Sequence, residues 1–365
     1  MSNETDSRFA AETERNGKDS YCRNARQRID TKLLRQKAGD RVRSNILSQY
    51  GYLPDVKVFY DGRGMQMPLP SDKGNDGHLT VLFPADCVAL DLIDIQSETI
   101  PDRVADPLPS VRELKINYCA KGRCELKLEN GEVTYLTGGE ISVDAGQALN
   151  SFYYPGGEYE GFEVVVFMDG KCGEVLSLLR QPFDSPQKLF DSCSRYQRPW
   201  IRNADSFLQR IYEDFLLFMK NGLCMELFLL KISELLYYLE QFSFDQSDLR
   251  RTYYTPSQIE IAKRTHEIIV SDWSVRYTAK QLAERFGVSE SSLKNYFSSV
   301  YGCGYAEYQH AARMRRAAKL LSDTESKVAE IAAAVGFSTQ AKFGAAFKEC
   351  YGVTPLEYRR TQRLK

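Results

Sequence analysis

From residue 80 to 170 the chain alternates short runs of β-branched and aromatic residues with glycine-bearing turns, the pattern of strands. The runs are Val111–Cys119, Cys124–Leu128, Val133–Leu136, Ile141–Val143 and Phe162–Phe167. The turns between them are read at Ala120-Lys121-Gly122, Glu129-Asn130-Gly131, Gly138-Gly139 and Pro155-Gly156-Gly157. Asn130-Gly131 between two alternating runs is a strong hairpin signal. Strands this short and this frequent predict a sandwich or a barrel. Over residues 171–243 the period becomes helical. Phe207, Leu208, Ile211, Tyr212, Phe215, Leu216 and Met219 form one stripe. Leu223–Phe242 is apolar nearly all round, broken mainly by Glu226, Lys231, Glu234 and Glu240, so it is expected to be buried on more than one side, by its own chain or by a second subunit.

Residues 244–256 are polar and end at Thr255-Pro256, which reads as an interdomain linker, and helices are expected to fill the rest. Residues 1–45 are charged and poor in apolar residues, which reads as a flexible tail. The expected organisation is a tail over 1–45, a β-rich domain with C-terminal helices over 46–243, a linker, and an all-α domain over 257–365.

The all-α part contains an internal repeat. Leu282–Ser289 aligns with Ile331–Ser338 at an offset of 49. One residue later the offset is 50, pairing Leu293 with Phe343, Phe297 with Phe347, Tyr301-Gly302 with Tyr351-Gly352, and Glu307-Tyr308 with Glu357-Tyr358. Each unit carries the physics of two helices joined by a tight turn. A small residue (Ala283, Ala332) allows close approach. Gly287 or Gly336 ends the first helix, Val288 or Phe337 plugs the turn, and Ser289 or Ser338 is expected to cap the second helix. Thr278 and Gln281 suit a capping box. The face of the second helix opposite its buried Leu293/Phe297 or Phe343/Phe347 is then exposed. In the first unit it holds Glu290, Ser291, Lys294, Asn295 and Ser298; in the second, Thr339, Gln340, Ala341, Gly344, Ala345 and Lys348. Short polar and small side chains of this kind can enter a major groove and reach base edges. Between the units, Ala306–Leu321 reads as one long helix with Arg313, Arg315, Arg316 and Lys319. These cations, with Lys342 and Lys348, suit phosphates.

Charge supports this division. The whole chain has 48 Lys+Arg against 49 Asp+Glu, which taken alone argues against a polyanion partner. Residues 255–365 carry 17 basic and 11 acidic residues, a net of +6, and residues 1–43 carry 11 and 7, a net of +4. That leaves about −11 for residues 44–254, so the basic third is the part expected to meet nucleic acid. The nine cysteines lack framework spacing and are expected to be reduced thiols, no apolar run is long enough for a membrane span, and Met1-Ser2-Asn3-Glu4 has no signal-peptide core. A cytoplasmic protein is expected.

Residues 257–363 resemble the DNA-binding domain of the AraC/XylS family of bacterial transcription regulators. The resemblance is carried by Arg313-Met314, Ala317, Leu321, Val328, Ile331-Ala332, Gly336-Phe337, Phe343, Phe347 and Gly352-Val353-Thr354-Pro355. It implies seven helices, with two recognition helices in successive major grooves, double-stranded DNA and RNA polymerase as partners, and regulation that is more often activation. Ser291, Lys294 and Asn295, and then Gln340, Ala341 and Ala345, would face bases. Members often carry Arg or another long polar residue where this chain has Asn295 and Ala345, which implies that the second unit mainly holds backbone.

Residues 80–243 resemble, less specifically, the same family's cupin-like β-barrel with dimerising helices, which implies a small-molecule effector and a homodimer. The resemblance is carried by Ile116-Asn117-Tyr118-Cys119, Gly122-Arg123-Cys124-Glu125, Gly138-Gly139-Glu140 and Tyr159-Glu160-Gly161. Asn117, Cys119, Arg123, Glu125, Tyr153, Tyr154 and Tyr159 are the candidate pocket residues. An alternative is an enzyme, a barrel catalyst or repair acceptor, that uses DNA as an address; another is a DNA-binding scaffold without effector. The chain has three histidines, His78, His266 and His310, too few in the barrel for a His-rich metal site. No phosphate loop, Ser/His/Asp set or paired carboxylates stand out. No catalytic residue, metal or cofactor is expected, and His266 and His310 are expected to be structural or solvent-facing.

Overall fold

The structure is a computed structural model that describes residues 55–69, 77–98, 112–146, 148–150, 153–168, 184–196, 198–242 and 251–362. The expected tail over 1–45 and most of the expected linker lie outside the described residues. The chain divides into two units. The first takes residues up to Gly122, Thr137–Ala148 and Gly157–Arg250; the second takes Arg123–Leu136, Leu149–Gly156 and everything from Arg251.

The strands are β1 (Lys57–Phe59), β2 (Gly64–Leu69), β3 (Gly77–Ala85), β4 (Val88–Ile95), β5 (Glu113–Leu128), β6 (Val133–Thr137), β7 (Glu140–Asp144), β8 (Ala148–Asn150), β9 (Tyr159–Phe167) and β10 (Trp200–Asn203). Their hydrogen-bonded order is β1-β2-β3-β4-β9-β5-β7-β10, with β6 and β8 also on β5. This path is open among the described residues, where a closed barrel was expected. Among the described residues three α-helices belong to the first unit: α1 (Ser185–Ser194), α2 (Ser206–Lys220) and α3 (Met225–Glu240). The span read as wholly helical therefore contains one strand, β10, which pairs with β7 from Trp200↔Val143 to Asn203↔Glu140.

Alternation along the strands gives the sheet of the first unit two different buried faces. Leu90, Leu92, Ile116, Tyr118, Ile141, Val143, Phe162 and Val164 join one apolar core with Leu208, Ile211 and Phe215 of α2 and Phe228, Ile232, Leu235 and Leu239 of α3. The residues between them point the other way. The registers Asp91↔Glu163, Glu163↔Asn117 and Asn117↔Ser142 lay four buried polar side chains in a row across β4, β9, β5 and β7. Tyr159 donates from its hydroxyl to Asn117 Oδ1 at 2.7 Å, and Asn117 Nδ2 lies 3.4 Å from Glu163 Oε2. On the same face β2 and β3 bring buried Met65, Met67, Leu79 and Val81.

Ala120-Lys121-Gly122 is not a turn. The strand runs through it, with a register shift between Cys119 and Lys121 against β9. Gly122 sits at φ +84° where the carbonyl of Glu158 comes so close that a Cβ would lie 1.9 Å from its oxygen. Glycine here punctuates a bulge rather than a reversal. The Asn130-Gly131 hairpin is present: Gly131 N–H donates to Leu128 O at 2.9 Å and Leu128 N–H to Glu132 O at 2.8 Å.

Among the described residues the second unit has seven helices: α4 (Pro256–Ser271), α5 (Ala279–Phe286), α6 (Glu290–Tyr301), α7 (Tyr305–Asp323), α8 (Val328–Ala334), α9 (Gln340–Tyr351) and α10 (Pro355–Gln362). Pro256, read as the end of the linker, is instead the first residue of α4, where a proline needs no N–H partner. Tyr254 forms a two-way backbone bridge with Val133, both bonds 2.9 Å, so residues just before α4 are strand-paired.

One test separates conformation from crowding at the sheet's glycines. Gly139, at φ +83° with open space around it, should lose about 1 kcal/mol on substitution by alanine. Gly122→Ala adds a clash with backbone to a similar φ and should lose about 3 kcal/mol or more. Thermal unfolding of both variants checks this; equal losses would mean that the close approach of Glu158 is not rigid.

Candidate nucleic-acid interface

The two repeat units fold as local chemistry dictates. Thr278 and Gln281 form the expected capping box on α5, and Gly287 ends that helix at φ +66°. Ser289 caps α6 by accepting from Ser292 N–H at 3.0 Å. In the second unit the cap of α9 is Thr339, accepting from Lys342 N–H at 3.3 Å, and not Ser338. The one-residue shift in the repeat moves the cap along with it. Each unit then closes on its own aromatic cluster, and the two clusters are built alike. Phe297 stacks on Tyr301 at 4.6 Å and meets Tyr308 edge-on at 5.3 Å; Phe347 stacks on Tyr351 at 4.6 Å and meets Tyr358 edge-on at 5.4 Å.

This packing buries Leu293 and Phe297 of α6, and Phe343 and Phe347 of α9. It leaves Glu290, Ser291, Lys294 and Asn295 exposed on α6, with Ser298 half-buried and its hydroxyl donating to Asn295 O at 3.1 Å. Lys294 Nζ is 2.6 Å from Glu290 Oε1, a surface ion pair of little energetic weight that can exchange for another anion. On α9, Thr339, Gln340, Ala341, Lys342, Ala345 and Lys348 are exposed and Gly344 is half-buried.

Helix α7 carries both cores. Tyr305, Tyr308 and Ala312 belong to the first, Met314, Ala317, Ala318 and Leu321 to the second. Arg315, Arg316 and Lys319 are exposed on it. Arg313 is a correction to the expected phosphate-facing set. It is 6% exposed and donates from Nη2 to the carbonyl of Val275 at 2.7 Å. A Cβ on Gly336 would sit 2.8 Å from the same nitrogen and equally close to Ser274 O. Arg313 thus pins the turn of the second unit to the loop before α5, and a buried guanidinium needs such carbonyls. Nothing in the sequence distinguishes this arginine from its surface neighbours except its place in the apolar stripe of the helix, four residues before buried Ala317.

The candidate pocket residues divide between the two units. Asn117, Cys119 and Tyr159 lie on the mixed polar and apolar face of the sheet. Arg123, Glu125, Tyr153 and Tyr154 belong to the second unit, and the first three are bonded to its helices. Glu125 is buried, 2.8 Å from Lys263 Nζ of α4, and accepts from the Tyr135 hydroxyl at 3.0 Å. Burial and the neighbouring carboxylate push the Tyr135 phenol far up, so it stays a donor. Lys263 and Arg251, which donates to Tyr135 O at 2.6 Å, escaped sequence reasoning because their partners, Glu125 and Tyr135, are more than a hundred residues away along the chain. Tyr153 and Tyr301 hydroxyls are 2.8 Å apart.

His266 is buried in the first core, 2.8 Å from the Tyr308 hydroxyl through Nε2. Burial, aided by nearby Arg315, pushes its pKa down to about 4. His310 is exposed, and exposed His78 lies 3.4 Å from Asp94. Among the described residues no group of three or more His, Cys, Asp or Glu could hold a metal, the cysteines are free thiols, and no helix is long and apolar enough to cross a membrane.

Comparison with known proteins concerns the C-terminal third. A family model described as a helix-turn-helix domain matches residues 282–361. The probable transcription factor PqrA of Proteus vulgaris is 35% identical over 78 residues, 21% of this chain and 64% of that protein. The Msm operon regulatory protein of Streptococcus mutans is 31% identical over 94 residues, 26% of this chain and 34% of that protein. The transcriptional activator AggR of Escherichia coli is 25% identical over 126 residues, 34% of this chain and 47% of that protein. The chain therefore spans less than two thirds of the length of each of these relatives. Among solved structures, the C-terminal domain of AraT, a response regulator from Geobacillus stearothermophilus, is 36% identical, with a TM-score of 0.27 over 28% of this chain and 84% of that one.

The buried histidine makes stability depend on pH. With its pKa lowered from 6.5 to about 4, the unfolded chain takes up a proton below pH 6.5 that the folded chain does not. The stabilisation is complete above about pH 7 and is lost as pH falls toward 4. Thermal unfolding should show about 2 kcal/mol less stability at pH 5 than at pH 7 from this group, and His266→Phe should flatten that part of the slope. An unchanged slope in the variant would sink the assignment.

Proposed function

The C-terminal domain is an AraC-type helix-turn-helix domain, and from that premise we propose that the chain is a sequence-specific DNA-binding transcription regulator of the cytoplasm. The observation that carries the reading is the pair of capped helices α6 and α9. Their exposed faces are short and polar, and one continuous helix lined with Arg315, Arg316 and Lys319 joins their cores. Ser291, Lys294 and Asn295 would read bases. Thr339, Ala341 and Ala345 are short and would contribute mainly shape and backbone contact, with Gln340 long enough to reach a base edge and Lys342 and Lys348 on phosphates. On this reading the regulator is an activator, as the name of AggR says of that protein, and RNA polymerase is its further partner.

The first unit, on this reading, is a cupin-like sensor of a small molecule. Asn117, Cys119 and Tyr159, joined by Asp91, Glu163 and Ser142, line a face where a few polar groups sit beside buried methionine, leucine and valine, the composition of a ligand site. An effector there would bias DNA binding by its differential affinity for two states of the protein. Helices α2 and α3 would make the homodimer. Leu217 is 51% exposed and Leu230 48%, and Leu216 and Tyr237 of the same two helices are exposed as well; apolar side chains of this kind would suit an isologous contact.

Affinity for its own upstream DNA should fall steeply as salt rises, by counterion release. Lys294→Ala or Asn295→Ala should change base preference by about 1–3 kcal/mol at one position, whereas Arg315→Ala should weaken all sequences alike. Binding that ignores salt, or variants that behave identically, would defeat the reading. Leu217→Glu with Leu230→Glu should convert a dimer to a monomer in analytical ultracentrifugation with little change in thermal stability, since both side chains are exposed; a dimer that survives both places the subunit contact elsewhere.

A further inference from the structure

We propose that Arg123 is a positioning residue for the first DNA-reading helix: it caps the C-terminal turn of α6 and fixes how that helix is presented to a duplex. Its consequence for DNA rests on the DNA-binding reading above; its geometry does not. The last carbonyls of a helix have no partner within the helix. At the end of α6 two of them are taken by one guanidinium. Arg123 Nε–H donates to Val300 O at 3.0 Å and Nη2–H to Ser299 O at 2.7 Å. A cation at this end also opposes the helix dipole.

The surrounding residues are shaped for this contact. Gly302, at φ +75°, donates its own N–H to Ser298 O and leaves room for the arginine. A Cβ at Gly302 would lie 2.9 Å from Nη1 and 3.1 Å from Cδ of Arg123. Arg123 is held from behind by the hairpin of β5 and β6. Its guanidinium carbon lies 5.2 Å from the Tyr135 ring centre, Tyr135 donates to Glu125, and Glu125 is paired with Lys263 of α4. Lys263 Nζ sits 3.9 Å over the ring of Tyr153, whose hydroxyl meets that of Tyr301, the last residue of α6. Val133 and Tyr135 enter the same apolar core as Leu293 and Phe297. The hairpin is thus anchored to α4 and to the core, and it delivers one side chain to the end of α6. In the second repeat the matching turn of α9 ends on Gly352, whose N–H donates to Lys348 O at 2.8 Å. Among the described residues nothing lies within 4 Å of a Cβ placed on Gly352, whereas Arg123 does at Gly302, so the two helices end differently.

The test uses the full chain, a duplex of about 30 base pairs enriched from a random pool by the wild-type protein, and a mixed-sequence duplex of the same length. Arg123→Ala is expected to weaken binding to the enriched duplex about tenfold, to leave the mixed-sequence duplex within about twofold, and to keep the salt slope of wild type. Amide exchange at residues 296–302 should quicken by about tenfold or more while residues 346–352 keep their wild-type rates. Arg123→Lys, which retains the charge but not the two-pronged bond, should lie between. Equal weakening on both duplexes with a salt slope shallower by about one would mean that Arg123 touches phosphate, and it would overturn the proposal. Unchanged exchange at 296–302 would overturn it as well. Should Arg123→Ala not fold, Tyr153→Phe removes a single hydroxyl bond from the same end of α6. It is expected to move exchange and the enriched-duplex affinity in the same direction by a smaller factor, and no movement counts against the cap. If wild type enriches no duplex, the DNA-binding reading fails, and the exchange data alone decide whether Arg123 holds the helix.

Discussion

The second unit depends on one constraint: a single unbroken helix, α7, supplies residues to two hydrophobic cores at once. At 1.5 Å per residue its 19 residues span about 28 Å, close to one turn of a duplex. Because Tyr305, Tyr308 and Ala312 are locked in one core and Met314, Ala317 and Leu321 in the other, neither repeat can turn without the rest of that helix. Arg313 stands where the two cores meet. Its buried bond to the loop before α5, tight against Gly336, removes the remaining twist between the repeats. The spacing and phase of α6 and α9 are thus set by packing, which leaves the side chains on their outer faces free to specialise.

The first unit solves a different problem with the opposite means. A sheet buried on both faces would ordinarily read as continuous apolar runs. Here one face is apolar and sits on α2 and α3, while the other mixes Asp91, Asn117, Ser142 and Glu163 with methionine, leucine and valine. Buried polar groups of this number are costly unless bonded, as Tyr159, Asn117 and Glu163 are to one another. Most of the buried polar groups of this sheet are thus gathered on one face and bonded there, while the other face packs as an apolar core.

The strands, the helical period, the Asn130-Gly131 hairpin and the doubled helix-turn-helix were legible because each is written in local periodicity or in glycine and cap chemistry a few residues apart. The exposed faces of α6 and α9 followed from the same spacing. What was misread depends on distant partners. Gly122 carries the same letter as a turn glycine, but its φ serves a bulge forced by the Glu158 carbonyl. Arg313 looks like any cation on an amphipathic helix until the Val275 carbonyl is seen beside it. Arg123, Glu125 and Tyr153 were read as pocket residues because they are polar residues among strands. Their partners are Val300, Lys263 and Tyr301, more than a hundred residues downstream, and no window of sequence holds both ends. The shift of the cap from Ser338 to Thr339 was already present in the repeat's change of offset.

The division of the chain at the bond between Gly122 and Arg123, inside one strand, bears on how this protein can be dissected. A helix-turn-helix head is usually regarded as a cassette, detachable at the linker that precedes it. Here the stretch from Arg251 onward is an incomplete object. Val133 and Tyr135 of its core, the carboxylate that neutralises Lys263 and the guanidinium that finishes α6 are all encoded before residue 137. A graft, fusion or gene-level exchange that moved only the C-terminal third would carry the exposed faces of α6 and α9 but leave part of their foundation behind.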